Sequence, residues 1–349
     1  MFWKLNLKIR SKPSTAHCNE NIYIPYLLSD PQYTSCTRLS EILGNVSHDS
    51  INRFLDRERF TPQDLFSDVK GKINLIGGIL SVDDSVLDKP YSFPKNAAFI
   101  DWFWSGKHKT VVKGINLVTL FYTDRNGTSV PVNYRIVDKE EEKTKNEHFR
   151  EMLIEVLEWG LSPLWISGDS WYSSLKNMKF IRKNNVNFMF GIENNRLVSD
   201  QRGQYIQIQK FEDWSSDDYA TLYLKDYGMV KVFRQMYKKS YRYYIMSTYN
   251  LDNLDNLKII DFKRVHDAHW GIERFHRAIK QVCNIEKFQV RKEHPIRNHI
   301  FCAIKAFVKL EFLRSQEEIM HWYEIRRDLF LDVIRGFIRK SMNSNFVNA

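Results

Sequence analysis

Cysteine is scarce and scattered in this chain, which excludes a fold that depends on disulfide bonds. Only four cysteines occur among 349 residues, at positions 18, 36, 283 and 302, and none forms a CxxC pair. Small secreted scaffolds are dense in cysteine, and cysteine zinc sites need closely spaced pairs. We therefore expect a reduced, cytosolic protein with neither a disulfide framework nor a cysteine-based zinc site.

Long apolar runs, low-complexity tracts and internal repeats are also missing from the sequence. No stretch reaches the roughly 20 apolar residues that a membrane-spanning helix needs. The first residues, MFWKLNLKIRSKP, lack the continuous apolar segment and small-residue cleavage site of a secretory signal. We expect neither a membrane span nor a secretory signal.

Acidic residues are outnumbered by basic ones. The chain has 42 Asp and Glu against 52 Lys and Arg, which gives a net charge of +10. Its hydrophobic content of 43% is enough for a sizeable core. A basic globular protein without a membrane segment indicates a polyanionic partner, usually nucleic acid. The length predicts two or three structural units.

Residues 1–70 predict a separate helical unit. Two short helices meet at Gly44-Asn45, and Ser47 and Asp49 are plausible N-cap residues for the second one. The arrangement is similar to a helix-turn-helix, although small helical bundles show the same pattern. Side chains that could meet DNA in such an arrangement are Ser50, Asn52, Arg53 and Arg57.

From about residue 72 the pattern becomes rich in β-strands. The predicted order is three strands, a helix, a strand, a helix and a strand, with a hairpin turn at Asn126-Gly127. Residues 195–258 then interrupt this order with further β-like pieces. An antiparallel start followed by alternating strands and helices is typical of a mixed-sheet α/β domain.

Residues 263–281, KRVHDAHWGIERFHRAIKQ, predict one helix with two distinct rows of side chains. The apolar row comprises Val265, Ala268, Ile272, Phe275 and Ile279. The neighbouring polar row comprises His266, His269, Glu273, Arg277 and Lys280. One carboxylate among cationic side chains could present a metal ligand beside phosphate contacts. A solvated helix face with ordinary charge pairs is the alternative.

Acidic residues follow two of the predicted strands. Asp83 and Asp84 come after the first apolar strand, and Asp169 follows a later one in WISGDSWYSS. Sites in open sheets gather at the carboxyl ends of strands, so these residues could converge with Glu273. Oxygen ligands of this kind suit Mg²⁺. Taken singly, Asp83 could end a strand, Asp169 could cap a helix and Glu273 could form a surface ion pair.

Three motifs carry a resemblance to a known family. VDDS at 82–85, SGDSWYSS at 167–174 and HWGIERFHRAIK at 269–280 resemble the DDE-type transposases of bacterial insertion sequences, in the group often called insertion sequence family four. The resemblance implies a mixed α/β, ribonuclease-H-like catalytic domain with a β-rich insertion, an N-terminal helical domain and a helical C-terminal tail. The corresponding boundaries are 1–70 for the N-terminal domain, 71–194 and 259–310 for the catalytic domain, 195–258 for the insertion and 311–349 for the tail.

The resemblance also implies an activity. Such a transposase binds the terminal inverted repeats of its element, cleaves the phosphodiester at the ends and joins the 3′-hydroxyls to target DNA by two-metal-ion catalysis. Asp83, Asp169 and Glu273 would be the catalytic carboxylates and the ligands of Mg²⁺ or Mn²⁺. Implied partners are transposon ends, target DNA and a second copy of the chain in the DNA complex. The implied location is the bacterial cytoplasm, at the nucleoid when bound to DNA.

Phosphate contacts would come from the same late helix. The group's helix carries Tyr, then Arg three residues on, Glu four further and Lys seven further. Here those positions hold His266, His269, Glu273 and Lys280, so histidine replaces both Tyr and Arg. The implied DNA-binding residues are Lys280 and His269, together with Arg277 and His266.

Several alternatives remain open at the level of sequence. Strand alternation allows only one of Asp83 and Asp84 to face the site; the spacing of the motif favours Asp83. A zinc site on His266, His269 and Glu273 is a further reading of that helix. The protein could also be a non-catalytic helix-turn-helix regulator, or a metal-dependent nuclease on the same fold that cuts without joining.

Overall fold

The computed structural model describes residues 17–30, 34–201 and 203–343. The α-helices in these ranges are α1 (Glu20–Ser29), α2 (Cys36–Leu43), α3 (His48–Arg57), α4 (Pro62–Val69), α5 (Lys145–Glu158), α6 (Leu175–Lys183), α7 (Ile259–Gln281), α8 (Glu293–Ser315) and α9 (Glu324–Asn343). The strands are β1 (Ile79–Asp88), β2 (Asp101–Ser105), β3 (Thr110–Thr123), β4 (Ser129–Ile136), β5 (Trp165–Gly168), β6 (Asn187–Ile192), β7 (Leu197–Ser199), β8 (Ile206–Gln207), β9 (Tyr219–Leu224), β10 (Gly228–Tyr237) and β11 (Ser240–Ser247). The expectation about a secretory signal concerns residues 1–13, which lie outside the described residues.

The strands form one mixed sheet, which confirms the predicted α/β class. Its order is β2-β3-β1-β5-β6-β11-β10-β9-β7-β8, and β4 also pairs with β3. β1 is antiparallel to β3 and parallel to β5, which is parallel to β6. This central part is ribonuclease-H-like. The β-rich segment extends the same sheet, because β11 pairs antiparallel with β6.

Local sequence signals explain where several elements begin and end. Gly127 has φ of 83°, which the tight turn between β3 and β4 requires. The Asp124 side chain accepts hydrogen bonds from the backbone N–H groups of Asn126 (2.8 Å) and Thr128 (3.0 Å) across that turn. The predicted hairpin is therefore confirmed, with its turn held by a side chain that precedes it.

The two short N-terminal helices also occur as predicted. Gly44 ends α2 with φ of 71°, and Ser47 caps α3 by accepting from the Ser50 N–H at 3.2 Å. The expected availability of Ser50 for DNA is wrong. Its side chain is buried, and its hydroxyl accepts from the backbone N–H of Cys18 at 3.2 Å. Whether the unit contacts DNA through its other side chains stays a prediction.

Helices α1, α3 and α4 pack against α8, α2 packs against α3, and all four contribute to the same hydrophobic core as the sheet. The Asn298 side chain on α8 donates to the carbonyl oxygens of Leu55 (2.6 Å) and Glu58 (2.8 Å) at the end of α3. Tyr23 on α1 lies 2.8 Å from Nδ1 of His299. The helices are thus fastened to α8 by buried polar contacts as well as by apolar packing.

Helix α8 is buried along most of its length. Phe307 lies edge-on to Phe275 of α7, with ring centroids 4.8 Å apart, and Phe275 stacks on Phe121 of β3 at 5.1 Å. The predicted boundary at residue 310 falls inside this helix. No helix in the described part of the chain is both long and apolar enough to cross a bilayer.

Candidate active site

The register of the central strands places two of the predicted carboxylates side by side. Val82 of β1 pairs with Gly168 of β5 in a parallel ladder. Asp83 and Asp169 are the next residues along their chains, so they lie level with each other. Asp83 was expected after the end of its strand, and that is wrong. β1 continues to Asp88, because β3 supplies antiparallel partners along its whole length.

Asp83 and Asp84 have different surroundings. Asp83 faces α7, where its Oδ2 is 3.4 Å from Nδ1 of His276. Asp84 instead pairs with Lys145 of α5 at 2.7 Å. The Asp84 carboxylate also accepts hydrogen bonds from Asn116 Nδ2 (2.7 Å) and from the Tyr172 hydroxyl (3.3 Å). The Asp84 carboxylate is therefore committed to a polar network, and Asp83 is the aspartate on the side of the Glu273 helix.

Asp169 begins a tight turn directly after β5. Its Oδ1 accepts a hydrogen bond from the backbone N–H of Trp171 at 3.0 Å, so it caps a single 3₁₀ turn formed by residues 170–172. The Tyr172 side chain bonds to Asp84, and Ser170 donates to Glu193 at 2.6 Å. The capping role and a place at the site therefore coexist in Asp169.

A cavity of about 410 Å³ lies between the end of β5, the end of β6, β11 and α7. Asp169 and Glu273 both line it, and so do His266, His269 and Trp270. Of the three predicted carboxylates, Asp169 and Glu273 share the cavity. Asp83 lies outside the lining, but its charge acts on both of them.

The pKa values show that the charge of Asp83 acts on both of the other carboxyl groups. Desolvation and then the charges of Asp83 and Asp84 raise the pKa of Asp169 to about 7. Partial desolvation and the charge of Asp83 raise the pKa of Glu273 as well. Burial acts to raise the pKa of Asp83, but the hydrogen bond and charge of His276 hold it below its ordinary value. Negative charge is thus concentrated and only partly compensated here.

The donor chemistry of these carboxylates fits a hard divalent cation, which prefers oxygen ligands and would relieve their repulsion. Their side chains do not converge in this arrangement. Across residues 17–30, 34–201 and 203–343, no group of three or more His, Cys, Asp or Glu side chains is placed to hold a metal ion. Asp169 and Glu273 are open to solvent through the cavity, although the surrounding residues partly desolvate their carboxyl groups, so both have room to reorient. The same finding gives no support to the alternative zinc site on His266, His269 and Glu273.

The two histidines that replace Tyr and Arg are not fixed cations. Desolvation lowers the pKa of His269 to about 4, and its Nδ1 has no hydrogen-bond partner within the described ranges. Desolvation also lowers the pKa of His266, whose ring lies edge-on to Tyr244 with centroids 5.2 Å apart. Either ring would meet a phosphate as a neutral N–H donor.

Lys280 and Arg277 lie in different settings on α7. The Lys280 Nζ donates to the carbonyl oxygen of Val86 at 2.6 Å and lies 3.2 Å from Glu286 Oε1, outside the cavity. Arg277 is exposed, and its positive charge acts on Glu273. Arg277 is therefore near the carboxylates, whereas Lys280 is already paired.

His276 is the site residue that the sequence reading missed. It lies one helical turn after Glu273, with its Nδ1 beside Asp83 and its Nε2 buried without a hydrogen-bond partner among the described residues. The three-residue step from Glu273 was the available signal, since residues three apart share a helix face. Lys145, Asn116 and Tyr172 were also missed, because their shared partner Asp84 is distant in sequence.

Comparisons with known proteins yield one family. The model of the family described as transposase DDE domain matches residues 77–308. No curated protein matches the chain. Two solved structures show only a weak likeness. The Drosophila P element transposase strand transfer complex is 10% identical with a TM-score of 0.28, covering 85% of this chain and 65% of that one. The NurA nuclease from Sulfolobus solfataricus is 11% identical with a TM-score of 0.22, covering 87% and 96%.

Proposed function

We propose a function from one premise: the chain belongs to the family of the transposase DDE domain, whose model matches residues 77–308. The protein is a DNA transposase that binds the terminal inverted repeats of an insertion sequence, cuts the phosphodiester at each end and joins the 3′-hydroxyls to target DNA. The observation that carries the proposal is the level placement of Asp83 and Asp169 on adjacent strands, with Asp169 and Glu273 lining one cavity. We expect it in the bacterial cytoplasm, where that DNA lies.

Asp83, Asp169 and Glu273 would hold the divalent cation, Mg²⁺ or Mn²⁺. When bound, such an ion polarises a phosphoryl oxygen and lowers the pKa of a water or hydroxyl nucleophile. Each carboxylate has its own anchor. His276 fixes Asp83, the capped turn fixes Asp169, and α7 carries Glu273 on the cavity wall. Ligand orientation by such neighbours is common around metal sites.

Phosphate contacts are assigned to Arg277, His269, His266 and Lys280. Arg277 is exposed beside Glu273, and the two histidines line the cavity. Lys280 would have to exchange the Glu286 carboxylate for a phosphate, because Glu286 Oε1 is 3.2 Å from its Nζ. At the N-terminal unit, Arg53 remains exposed on α3 and is the strongest candidate for reading the end sequence.

The test uses purified full-length protein and DNA that carries both ends of the native element, with Mg²⁺. The expected products are 3′-hydroxyl ends and molecules joined to target DNA. Binding without cleavage would overturn the proposal in favour of a regulator. Cleavage without joining, including a failure to join pre-cut ends, would overturn it in favour of a nuclease. Two copies acting together predict that DNA with one end reacts more slowly than DNA with two.

A further inference from the structure

The hairpin formed by β10 and β11 extends beyond the strands on either side of it. β10 and β11 pair without interruption from Lys231 and Met246 to the turn at Tyr237 and Ser240. The pairing of β9 with β10 stops at Phe233, and β6 pairs with β11 only from Tyr243 onward. Residues 234–242 are therefore a two-stranded ribbon without neighbouring strands, called the ribbon below.

The ribbon is basic and contains no carboxylate. Its sequence, RQMYKKSYR, has four cations and no Asp or Glu. Arg234 is paired with Asp218 at 2.7 Å. Lys238, Lys239 and Arg242 form no ion pair with any described residue, and Arg242 lies over the Tyr237 ring at 3.6 Å. Three cations are thus available to an external anion.

Apolar side chains are exposed beside these cations. Met236 is 56% exposed and Tyr237 is 43% exposed. Exposed aromatic residues interleaved with cations suit the sugar, base and phosphate surfaces of nucleic acid. A second copy of this chain fits poorly, because each copy has a net charge of +10 and the ribbon has no acidic residue to offset it.

The base of the ribbon reaches the candidate active site. Tyr241 and Arg242 line the same cavity as Asp169 and Glu273. Whatever the ribbon binds is therefore held next to the carboxylates. A polyanion held there would bring its backbone to the residues that are proposed to act on it.

We propose that the ribbon is a docking element for duplex DNA immediately beside the scissile phosphodiester. This inference rests on the proposed function and assigns the DNA contact to residues that no motif of the sequence marked. A two-stranded β-ribbon fits the major groove, which is about 12 Å wide. Lys238 and Lys239 at the tip would contact phosphates, and Arg242 would hold the backbone at the cavity.

The hairpin of β2 and β3 provides an internal control. It also carries exposed tryptophans, Trp102 and Trp104, and a basic turn. Lys107 and His108 of this hairpin share an acidic partner, because Asp88 Oδ2 lies 3.0 Å from Lys107 Nζ and 2.9 Å from His108 Nε2. Removal of three lysines there changes the net charge of the protein as much as removal of three cations from the ribbon.

The first experiment compares two triple variants in binding of end DNA by fluorescence anisotropy across a salt series, without divalent metal. Each lost phosphate contact lowers the slope of log K against log salt by about 0.9. Lys238→Gln, Lys239→Gln and Arg242→Gln together should reduce the slope by about 2–3. Lys107→Gln, Lys109→Gln and Lys113→Gln together should change it by less than about 1. Equal slopes in the two variants would overturn the proposal.

The second experiment locates the contact on the DNA. A photoreactive phenylalanine analogue at Met236, which is exposed, should crosslink to nucleotides next to the cleavage position. The same analogue at the exposed Tyr91 should not crosslink there. Crosslinks to DNA only at positions distant from the cleavage site would overturn the proposal. Crosslinks only to a second protein chain would also overturn it, if the protein forms a larger species in solution that the ribbon variant does not form.

The two proposals fail in different ways. Wild-type protein that neither binds nor cuts end DNA would overturn the proposed function itself. Wild-type protein that cuts and joins end DNA, while the ribbon variant keeps the wild-type salt slope, would overturn only the role of the ribbon. Equal thermal unfolding of both triple variants and the wild type shows that loss of structure does not explain a changed slope. Five of the six substituted side chains are exposed, and Lys113 is half-buried.

Discussion

The two aspartates in the middle of β1 are adjacent in sequence but differ in how many partners their carboxylates have. Asp84 has a cation, an amide and a phenol as partners, from α5, β3 and the turn after β5. Asp83 has one histidine at 3.4 Å, and its charge raises the pKa of two neighbouring carboxyl groups. The charge of Asp84 is therefore compensated by protein groups on one face of the strand. On the other face, the charge of Asp83 is only partly compensated and favours binding of an external cation.

The same division separates His299 from the two histidines beside the carboxylates. His299 has a partner for each ring nitrogen, Tyr23 at 2.8 Å and the carbonyl oxygen of Asn284 at 3.2 Å. His269 and His276 each have a buried nitrogen without a partner among the described residues. Buried polar atoms are normally paired, so unpaired ones gathered beside three carboxylates point to function rather than to stability.

The largest effect on cleavage is expected from removing the charge of one of the three candidate metal-binding carboxylates. Asp83→Asn, Asp169→Asn and Glu273→Gln should each lower end cleavage and joining by at least about 10³-fold, because a neutral amide is a poor ligand for a divalent cation. End binding, measured by gel shift, should remain near wild type. Calcium should support binding and little cleavage. Full activity in a folded Asp169 or Glu273 variant would contradict the assignment of these carboxylates.

His276 allows a finer test of the same face. His276→Leu removes the donor that orients Asp83, and loss of such outer contacts typically costs about 10–100-fold in metal affinity or activity. We expect a higher Mg²⁺ concentration for half-maximal cleavage, with His276→Gln recovering part of the loss through its amide donor. A lower stability with an unchanged Mg²⁺ requirement would show that His276 is only a packing residue.

Asp84→Asn should have the opposite pattern of effects, with a loss of stability and little loss of cleavage. The amide keeps the shape and some hydrogen bonds, but Lys145 loses its ion-pair partner while it is half-buried. We expect a loss of about 1–3 kcal/mol in the free energy of unfolding, measured with urea, and cleavage within a few-fold of wild type. Loss of cleavage in Asp84→Asn together with retention in Asp83→Asn would move the first ligand by one residue.

The sequence predicted the elements of the site better than their surroundings. Asp169 was placed correctly because an apolar run ending in Gly168 and Asp169 is a local signal. The end of β1 was misplaced because its length depends on β3, which follows it by more than 20 residues. The burial of α8 was missed because its charges are paired with distant residues: Lys305 reaches Glu20 at 2.7 Å and Asp68 at 2.6 Å. Such partners have no periodicity along the chain.

The same burial governs how the N-terminal unit should be tested. Deletion of residues 1–70 would expose α8 and leave Lys305 without its two acidic partners, so a loss of end preference could reflect unfolding. Arg53→Gln is the better change, because this side chain is exposed on α3. It should weaken the preference for end DNA over random DNA, measured by competition, while leaving thermal stability unchanged.

The smallest effect concerns His299, whose two ring nitrogens both have partners, and it is a pH dependence of the free energy of unfolding. Desolvation, with a contribution from Lys89, lowers the pKa of His299 to about 3, whereas an unfolded histidine titrates near 6.5. Between these values the unfolded state binds more protons than the folded state. The contribution of His299 to stability is therefore complete above pH 6.5 and falls by roughly 1.4 kcal/mol per pH unit below it.

Urea unfolding at pH 7.5 and 5.5 should show this loss in the wild type. His299→Gln should be less stable at pH 7.5, yet lose about 1 kcal/mol less between the two pH values. Tyr23→Phe removes one partner but keeps the buried ring, so it should lower stability and retain the wild-type pH dependence. An identical dependence in His299→Gln and wild type would assign the acid sensitivity to other groups.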